Sequence, residues 1–369
     1  MARLTPLRTK PASSAARVLD DWYVAARSDE LRRAPLARTL LGLPIALYRG
    51  EDGVAGALLD RCPHRNVPLS AGRVEGRHLE CGYHGWQFDR GGACRAIPGL
   101  CDGAAAGAKG RHVHAYPTRE QDGFVWVYLP ADQQPVAEGA LPEPLREPFR
   151  FPHVDDPRYV TVRQTIDMRG TLHAAAENAL DVPHTAFLHR GLFRGTGDRN
   201  EIDVEVRRWH DRVEAEYFGE PRPEGLIGRV LAPRGGTVEH VDRFLLPCIA
   251  QVEYRLGESH VVASTALTPI RDHETRLFGA VSFRLPFVPP RLGDAVARAL
   301  VPLGMTILKQ DARMLAKQTA TIETFGGEQF VSTELDVLGP HILRLLRQAE
   351  RGRAVPVEAP VVETTRMQV

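Results

Sequence analysis

Two short segments decide how this chain is organised: Cys62-Pro63-His64-Arg65 and Cys81-Gly82-Tyr83-His84-Gly85-Trp86, with sixteen residues from Arg65 to Glu80 between the two ligand pairs. Each segment carries one cysteine and one histidine, so together they offer two thiolates and two imidazoles from two similar clips. Soft thiolates and borderline imidazoles are the ligands of iron–sulfur clusters, zinc and copper, not of hard cations.

Two thiolates on one iron and two imidazoles on the other is the mixed ligation of a Rieske [2Fe–2S] centre. Neutral imidazoles in place of thiolates remove negative charge and raise the reduction potential above that of an all-cysteine cluster. The same four side chains could hold zinc as a Cys2His2 set. Zinc fingers usually pair Cys with Cys and His with His in separate clips, whereas here Cys62 and His64 share one clip and Cys81 and His84 the other. The cluster is the expected occupant.

The remaining composition is that of an ordinary globular protein. The 369 residues are 43% hydrophobic and 25% charged, long enough for two domains. A net charge of +1 leaves no electrostatic footprint for nucleic acid. Five cysteines, two of them in the clips, leave Cys94, Cys101 and Cys248, an odd remainder that argues for a reducing compartment. The expected location is cytoplasmic. No apolar run reaches the roughly 18 residues a membrane span needs, so no transmembrane segment is expected.

Along the chain, residues 1–17 look like a disordered leader and 18–130 like a small all-β domain around the clips. Its strands include Trp22–Ala25, Pro44–Tyr48, Gly56–Leu59 and the run Asp122–Leu129. Residues 131–157, rich in Pro, Glu and Ala, form the expected linker. A second domain over 158–353 opens with a strand to Asp167 and a helix from Met168 to Leu180. Six strands follow between Ile202 and Leu285, with a turn at Arg234-Gly235-Gly236, then long helices from Leu292 to about Glu323 and from Thr333 to Arg351. Helices laid on one face of an antiparallel sheet make this half α+β. The polar residues 354–369 are expected to be a disordered tail.

Within that half, Asn178, Asp181 and His184 are spaced three apart, one face of a helix, and His189 follows five residues later. On an undisturbed helix His189 would point away from His184. Pro183 interrupts the pattern and lets both imidazoles turn to one point. Two imidazoles and a carboxylate with open positions are the ligand set of non-haem Fe(II) oxygenases.

Cys62-x-His64 and Cys81-x-x-His84, followed by Asn178-x-x-Asp181-x-x-His184-x4-His189, resemble the oxygenase (alpha) component of Rieske non-haem iron oxygenases. The likeness runs from Trp22-Tyr23-Val24-Ala25 to about residue 320, and is nearest to the monooxygenase branch that includes vanillate O-demethylase, dicamba monooxygenase and aminopyrrolnitrin oxygenase. It implies a Rieske domain followed by a helix-grip-like catalytic domain. It implies His184 and His189 as ligands of a mononuclear Fe(II), completed by an aspartate late in the chain. Asp311, within Gln310-Asp311-Ala312-Arg313, is the candidate, with Glu323 as the other acid in reach of that role.

The resemblance further implies a head-to-tail homotrimer in which Asp181 bridges His84 of one subunit and His184 of the next, carrying electrons from cluster to iron. Asn178 matches a position near the iron. A reductase, with or without a ferredoxin, is the implied donor, since no Gly-x-Gly-x-x-Gly or Walker loop offers a nucleotide site of the chain's own. O2 and a hydrophobic aromatic or polycyclic molecule are the implied substrates, with hydroxylation or oxidative demethylation as the outcome. Sterol oxidation or desaturation by the same chemistry is the alternative substrate reading, and a Rieske electron carrier fused to a ligand-binding domain is the non-enzyme one. Cys94, Cys101, His112 and His114 lack tight ligand spacing and are expected to be structural or exposed. His173 is expected on the helix surface or a pocket wall.

Overall fold

The structure, a computed structural model, describes residues 13–101, 110–132, 140–189, 200–221, 238–286, 288, 290–352 and 359–368. The Arg234-Gly235-Gly236 turn and residues 1–12 of the expected leader lie outside them. Two compact units divide at Arg150 and Phe151.

The first unit is all-β among the described residues, apart from a single 3-10 turn at Leu69–Ala71. Its strands are β1 (Asp21–Arg27), β2 (Leu36–Leu40), β3 (Leu43–Arg49), β4 (Ala55–Leu59), β5 (Arg73–Glu75) and β6 (His78–Glu80). They continue as β7 (Gln87–Phe88), β8 (Cys94–Ala96), β9 (Ala115–Tyr116), β10 (Thr118–Gln121) and β11 (Phe124–Leu129). Three sheets result, ordered β1-β11-β10, β2-β3-β4-β9 and β5-β6-β7-β8. Asp122 and Gly123 take φ of 56° and 81° and form the two-residue turn joining β10 to β11, so the strand begins at Phe124. Tyr23, Ile45, Leu47, Phe124 and Trp126 fill the interior. One clip lies between β4 and β5 and the other between β6 and β7.

Part of the expected linker is no free tether. Trp22 Nε1 donates to Arg146 O at 2.6 Å, Arg146 pairs with Asp21, and Gln121 Nε2 donates to Phe149 O at 2.9 Å. The buried Asp21 and the indole N–H need partners, and residues 146–149 supply them.

The second unit is one antiparallel sheet with helices. Its elements are β12 (Val160–Met168), α1 (Leu172–Leu180), α2 (Thr185–Leu188), β13 (Glu201–Arg208), β14 (Arg212–Phe218) and β15 (Val238–Leu245). After these come β16 (Ile249–Leu256), β17 (Ser259–Arg271), β18 (Glu274–Arg284), α3 (Pro290–Phe325), α4 (Gly339–Glu350) and β19 (Val361–Gln368). The strand order is β12-β18-β17-β16-β15-β14-β13-β19. Val160 and Val162 of β12 and Val296 and Leu300 of α3 all pack against Phe283 and Leu285, which fixes that helix over the β12 end of the sheet.

Four expectations are corrected here. The stretch Val361–Gln368 is a strand, not a disordered tail: it pairs with β13 over eight residues and buries Met367. The end of the leader is packed onto this unit: Ser14 Oγ donates to Glu328 and Arg17 pairs with Asp272, because Ser14 and Arg17 are themselves buried and need polar partners. Helix α1 starts at Leu172, where Thr171 accepts the Ala174 N–H as a cap, so Met168 stays in β12. Helix α4 starts at Gly339, with Pro340 in its first turn, where a missing N–H costs nothing.

Candidate metal centres

The two clips share one backbone design. Cys62 N–H donates to Val67 O and Asn66 N–H to Cys62 O, both at 2.9 Å. At the same offsets Cys81 N–H donates to Trp86 O at 2.8 Å and Gly85 N–H to Cys81 O at 3.0 Å. The fifth residue of each clip, Asn66 and Gly85, has φ of 59° and 70°, the left-handed region that Asn and Gly enter at least cost. Both thiols are buried, and the histidine rings lie 4.4 Å apart between centroids. Trp86 stacks on His64 at 4.9 Å, and Tyr83 sits 3.9 Å from His84.

Burial pushes the Cys62 thiol up to about 11, and the neighbouring Cys81 adds to the effect. A thiol buried beside a second sulfur is unfavourable as the thiolate until a cation joins it. His64 Nδ1 is buried without a hydrogen-bond partner among the described residues, the state of a nitrogen that awaits a metal. Cys62, His64, Cys81 and His84 therefore fit a binuclear cluster. The exposed His84 and Tyr83, the latter 63% exposed, put the imidazole side of the site at the surface.

The second centre is built where α1 stops. The helix ends at Leu180, so Asp181 caps it rather than continuing the face that carries Asn178. Pro183 leads into the single turn α2, with His184 before it and His189 after it. That turn brings His184 Nε2 to 3.3 Å from His189 Nε2. Asp311, on α3, places Oδ1 at 3.0 Å from His189 Nε2 and 3.7 Å from His184 Nε2. Among the described residues this is the group of three metal-type ligands gathered within one ion's reach, all within 4.8 Å.

Each imidazole is held by its other nitrogen. His184 Nδ1 donates to the Asp181 carbonyl at 2.5 Å, and His189 Nδ1 donates to Gln310 Oε1 at 2.7 Å. Both acceptors force the Nδ1–H tautomer, which leaves the Nε2 lone pairs facing Asp311. Burial alone would lower the His184 pKa, but the Asp181 and Asp311 carboxylates outweigh it and raise it to about 9. Asp311 is drawn the other way: burial raises it, and the two imidazoles hold it below the usual carboxylate range. Its Oδ1 is buried and has no hydrogen bond of good geometry among the described residues. A divalent cation accepts all three lone pairs at once, so these residues fit a ferrous ion.

Asp181 therefore grips His184 through its carbonyl. Its carboxylate accepts the His184 backbone N–H at 3.2 Å and stands 3.4 Å from Nδ1. Asn178 is half-buried on the last turn of α1. Glu323 pairs with Arg169 instead. His173 is buried and donates Nε2–H to Gly339 O at 2.8 Å, tying α1 to α4. Gln310 was adjacent to a suspected ligand, yet nothing local signals its role: its partner lies 121 residues earlier.

The comparisons agree with this chemistry. Residues 21–116 match the Rieske [2Fe-2S] domain family, and 168–352 match the vanillate O-demethylase oxygenase C-terminal domain. The oxygenase component of dicamba O-demethylase from Stenotrophomonas maltophilia is 39% identical over 94% of this chain and 87% of its own. The vanillate O-demethylase oxygenase subunit of a Pseudomonas species is 30% identical over 88% of this chain and 92% of its own. The crystal structure of dicamba monooxygenase bound to dicamba superposes with a TM-score of 0.72 at 27% identity, covering 92% of this chain and 99% of that one. The chain belongs to the Rieske non-haem iron oxygenases, as an oxygenase component whose cofactors are a [2Fe–2S] cluster and a mononuclear iron.

Proposed function

We propose that the protein is the terminal oxygenase of a multicomponent system acting on an aromatic methyl ether or a related arene, with His184, His189 and Asp311 as iron ligands and Cys62, His64, Cys81 and His84 as cluster ligands. The observation that carries the reading is the convergence of His184, His189 and Asp311 in a chain that also bears the paired clips. When bound, the cluster supplies electrons singly and the ferrous ion activates O2. Demethylation would consume the ether, O2, two electrons and two protons, and yield a phenol, formaldehyde and water. Asp181 and Gln310 keep both imidazoles in the ligating tautomer. The relatives' O-demethylase names favour this substrate class over sterols.

The same reading includes a head-to-tail trimer in which His84 of one copy meets Asp181 of the next. Support comes from the exposed Tyr83–His84 edge and from the surroundings of Asp181. A shallow depression opens there, lined by Leu180, Val182, Tyr217 and Leu335 beside Asp181 itself. Phe187, on α2, and Leu335 are exposed at 65% and 46%, costly for a face that stays in water. Electrons would come from a reductase, with or without a ferredoxin, in keeping with relatives named as components and subunits.

The test is turnover with a surrogate reductase and 18O2 across methoxyarenes, other arenes and sterols. Formaldehyde and a phenol in step with O2 uptake are expected. O2 uptake that ends in peroxide for every substrate, or a purified chain holding only the cluster irons, sinks the proposal.

A further inference from the structure

Strands in the middle of a wide sheet are normally covered on both faces. On one face of β17 and β18 they are: Val262, Ser264, Ala266, Ala280 and Ser282 are all buried. On the opposite face, Val252, Ala263, Thr265 and Val281 are only half-buried, although each sits between hydrogen-bonded neighbours. The cross-strand pairs Val252 with Ala263, Ala263 with Val281, Thr265 with Gly279 and Gly279 with Gln164 place them on one surface. Half-exposure there means a hollow over the sheet centre.

Gly279 lies at its floor. A Cβ at that position would meet nothing nearer than Thr265 Oγ1 at 3.7 Å and Gln164 O at 3.9 Å. Its φ is not among the positive ones, so neither backbone nor crowding calls for glycine. Glycine inside a strand weakens it, and commonly marks a place where a ligand approaches the backbone. The hollow lies on the triad's side of the sheet. Gln164 Nε2 donates to Val301 O at 3.3 Å, and a Cβ on Gly304 of α3 would be 3.4 Å from that same nitrogen. Asp311 follows Gly304 by seven residues, which on a helix is about 10 Å along nearly the same face. That is roughly the length of a substituted arene.

We propose that Gly279 is the floor of the substrate pocket and that the Thr265 hydroxyl anchors a flat, uncharged aromatic ligand through one neutral polar substituent. The inference rests on the oxygenase reading and narrows its substrate class. Val252, Ala263 and Val281 offer apolar contact, and the Thr265 hydroxyl oxygen is buried with no hydrogen-bond partner among the described residues. A carboxylate set over these side chains would lose its hydration without a partner.

The experiment is calorimetric binding to the iron-loaded, oxidised protein, with 4-methoxyacetophenone, 4-methoxytoluene and 4-methoxybenzoate as probes. The ketone should bind best. Gly279→Leu should weaken the ketone and the toluene at least tenfold by filling the floor, and Ala263→Leu should do the same from the next strand. Thr265→Val should weaken the ketone about tenfold, the value of one hydrogen bond, and leave the toluene unchanged. Melting temperature and cluster absorbance establish that each variant is folded. Preference for the benzoate, binding of none of the probes, or folded leucine variants that bind like wild type would overturn the assignment. Absence of mononuclear iron from the wild type would overturn the oxygenase reading instead, so the two failures are distinguishable.

Discussion

Gln310 accepts the Nδ1 proton of His189 at 2.7 Å, while the next residue, Asp311, meets the same ring's Nε2 at 3.0 Å. One turn of α3 thus grips the imidazole at both nitrogens and sets its orientation before any ion binds. Gln310→Ala removes the grip at Nδ1 and leaves all three ligands in place. Iron affinity is expected to fall about ten- to a hundredfold, the usual cost of losing such an outer partner. Competition against a chelator measures this, with the cluster's EPR signal as internal control. Unchanged affinity would show that packing alone holds the ring.

Removing the ligands themselves separates the two centres. His184→Ala or Asp311→Ala should lose the mononuclear iron and keep the cluster's absorbance, so iron falls from about three per chain to about two. Cys81→Ala or His64→Ala should abolish the absorbance. A cluster signal that survives Cys81→Ala would place the cluster elsewhere.

The parts of this site written in short segments were the legible ones. Each clip places ligands within four residues and closes on itself through Cys62–Asn66 or Cys81–Gly85 hydrogen bonds, so residue types and spacing carry the geometry. His184 and His189 were legible for the same reason, with Pro183 marking the break in the helix. Asp311 needed a family likeness, because α3 is amphipathic along its whole length and any of its acids could face water. Gln310 and the Asp181 carbonyl were invisible, since a side-chain amide and a peptide oxygen carry no signature of the ring they hold. The last strand was missed because Val361-Val362-Glu363-Thr364-Thr365-Arg366 does not alternate cleanly: Val361 and Val362 are both exposed.

That strand has a measurable consequence. Met367 is buried against β13, and its truncation by Met367→Ala should cost about 2–3 kcal/mol, the lower part of the range for emptying a core site. Deleting residues 361–369 should do more, because it bares the hydrogen-bonding edge of β13. Denaturant unfolding and size-exclusion chromatography should show lower stability and a larger aggregated fraction. A truncated chain as stable and as monodisperse as the full one would mean that β19 adds nothing.

A buried charge network around His240 of β15 predicts a pH dependence. His240 is buried between Glu220 and Asp242, at 2.7 and 2.9 Å, with the rings of Tyr217 and Tyr254 stacked on its faces. Burial lowers its pKa, but Asp242 and Glu220 raise it further, to about 9. The folded state therefore holds this proton more tightly than the unfolded chain does. The stabilisation is complete below about pH 6.5 and is lost as pH rises through about 9. Its size is on the order of 2 kcal/mol, because burial also holds Asp242 above the usual carboxylate range and offsets part of the gain. Unfolding free energy should fall between pH 7 and 9.5 in the wild type, and less steeply in His240→Gln. Equal slopes would assign the dependence to other groups.

Asp181 uses two different atoms for what were expected to be one atom's tasks. Its carbonyl takes the His184 Nδ1 proton at 2.5 Å, while its carboxylate stands 3.4 Å from that nitrogen. Asp181→Asn keeps the carbonyl and changes only the carboxylate, so the ring's tautomer and the iron should be retained. If the carboxylate meets His84 of a neighbouring copy, the variant should load both metals and bind substrate normally. Its prereduced cluster should then reoxidise at least tenfold more slowly under O2 with substrate, since a neutral amide replaces a charge-assisted acceptor. Loss of iron from Asp181→Asn would return the carboxylate to the role of holding His184. Wild-type reoxidation, or full turnover by a monomer at nanomolar concentration, would remove Asp181 from the path between copies.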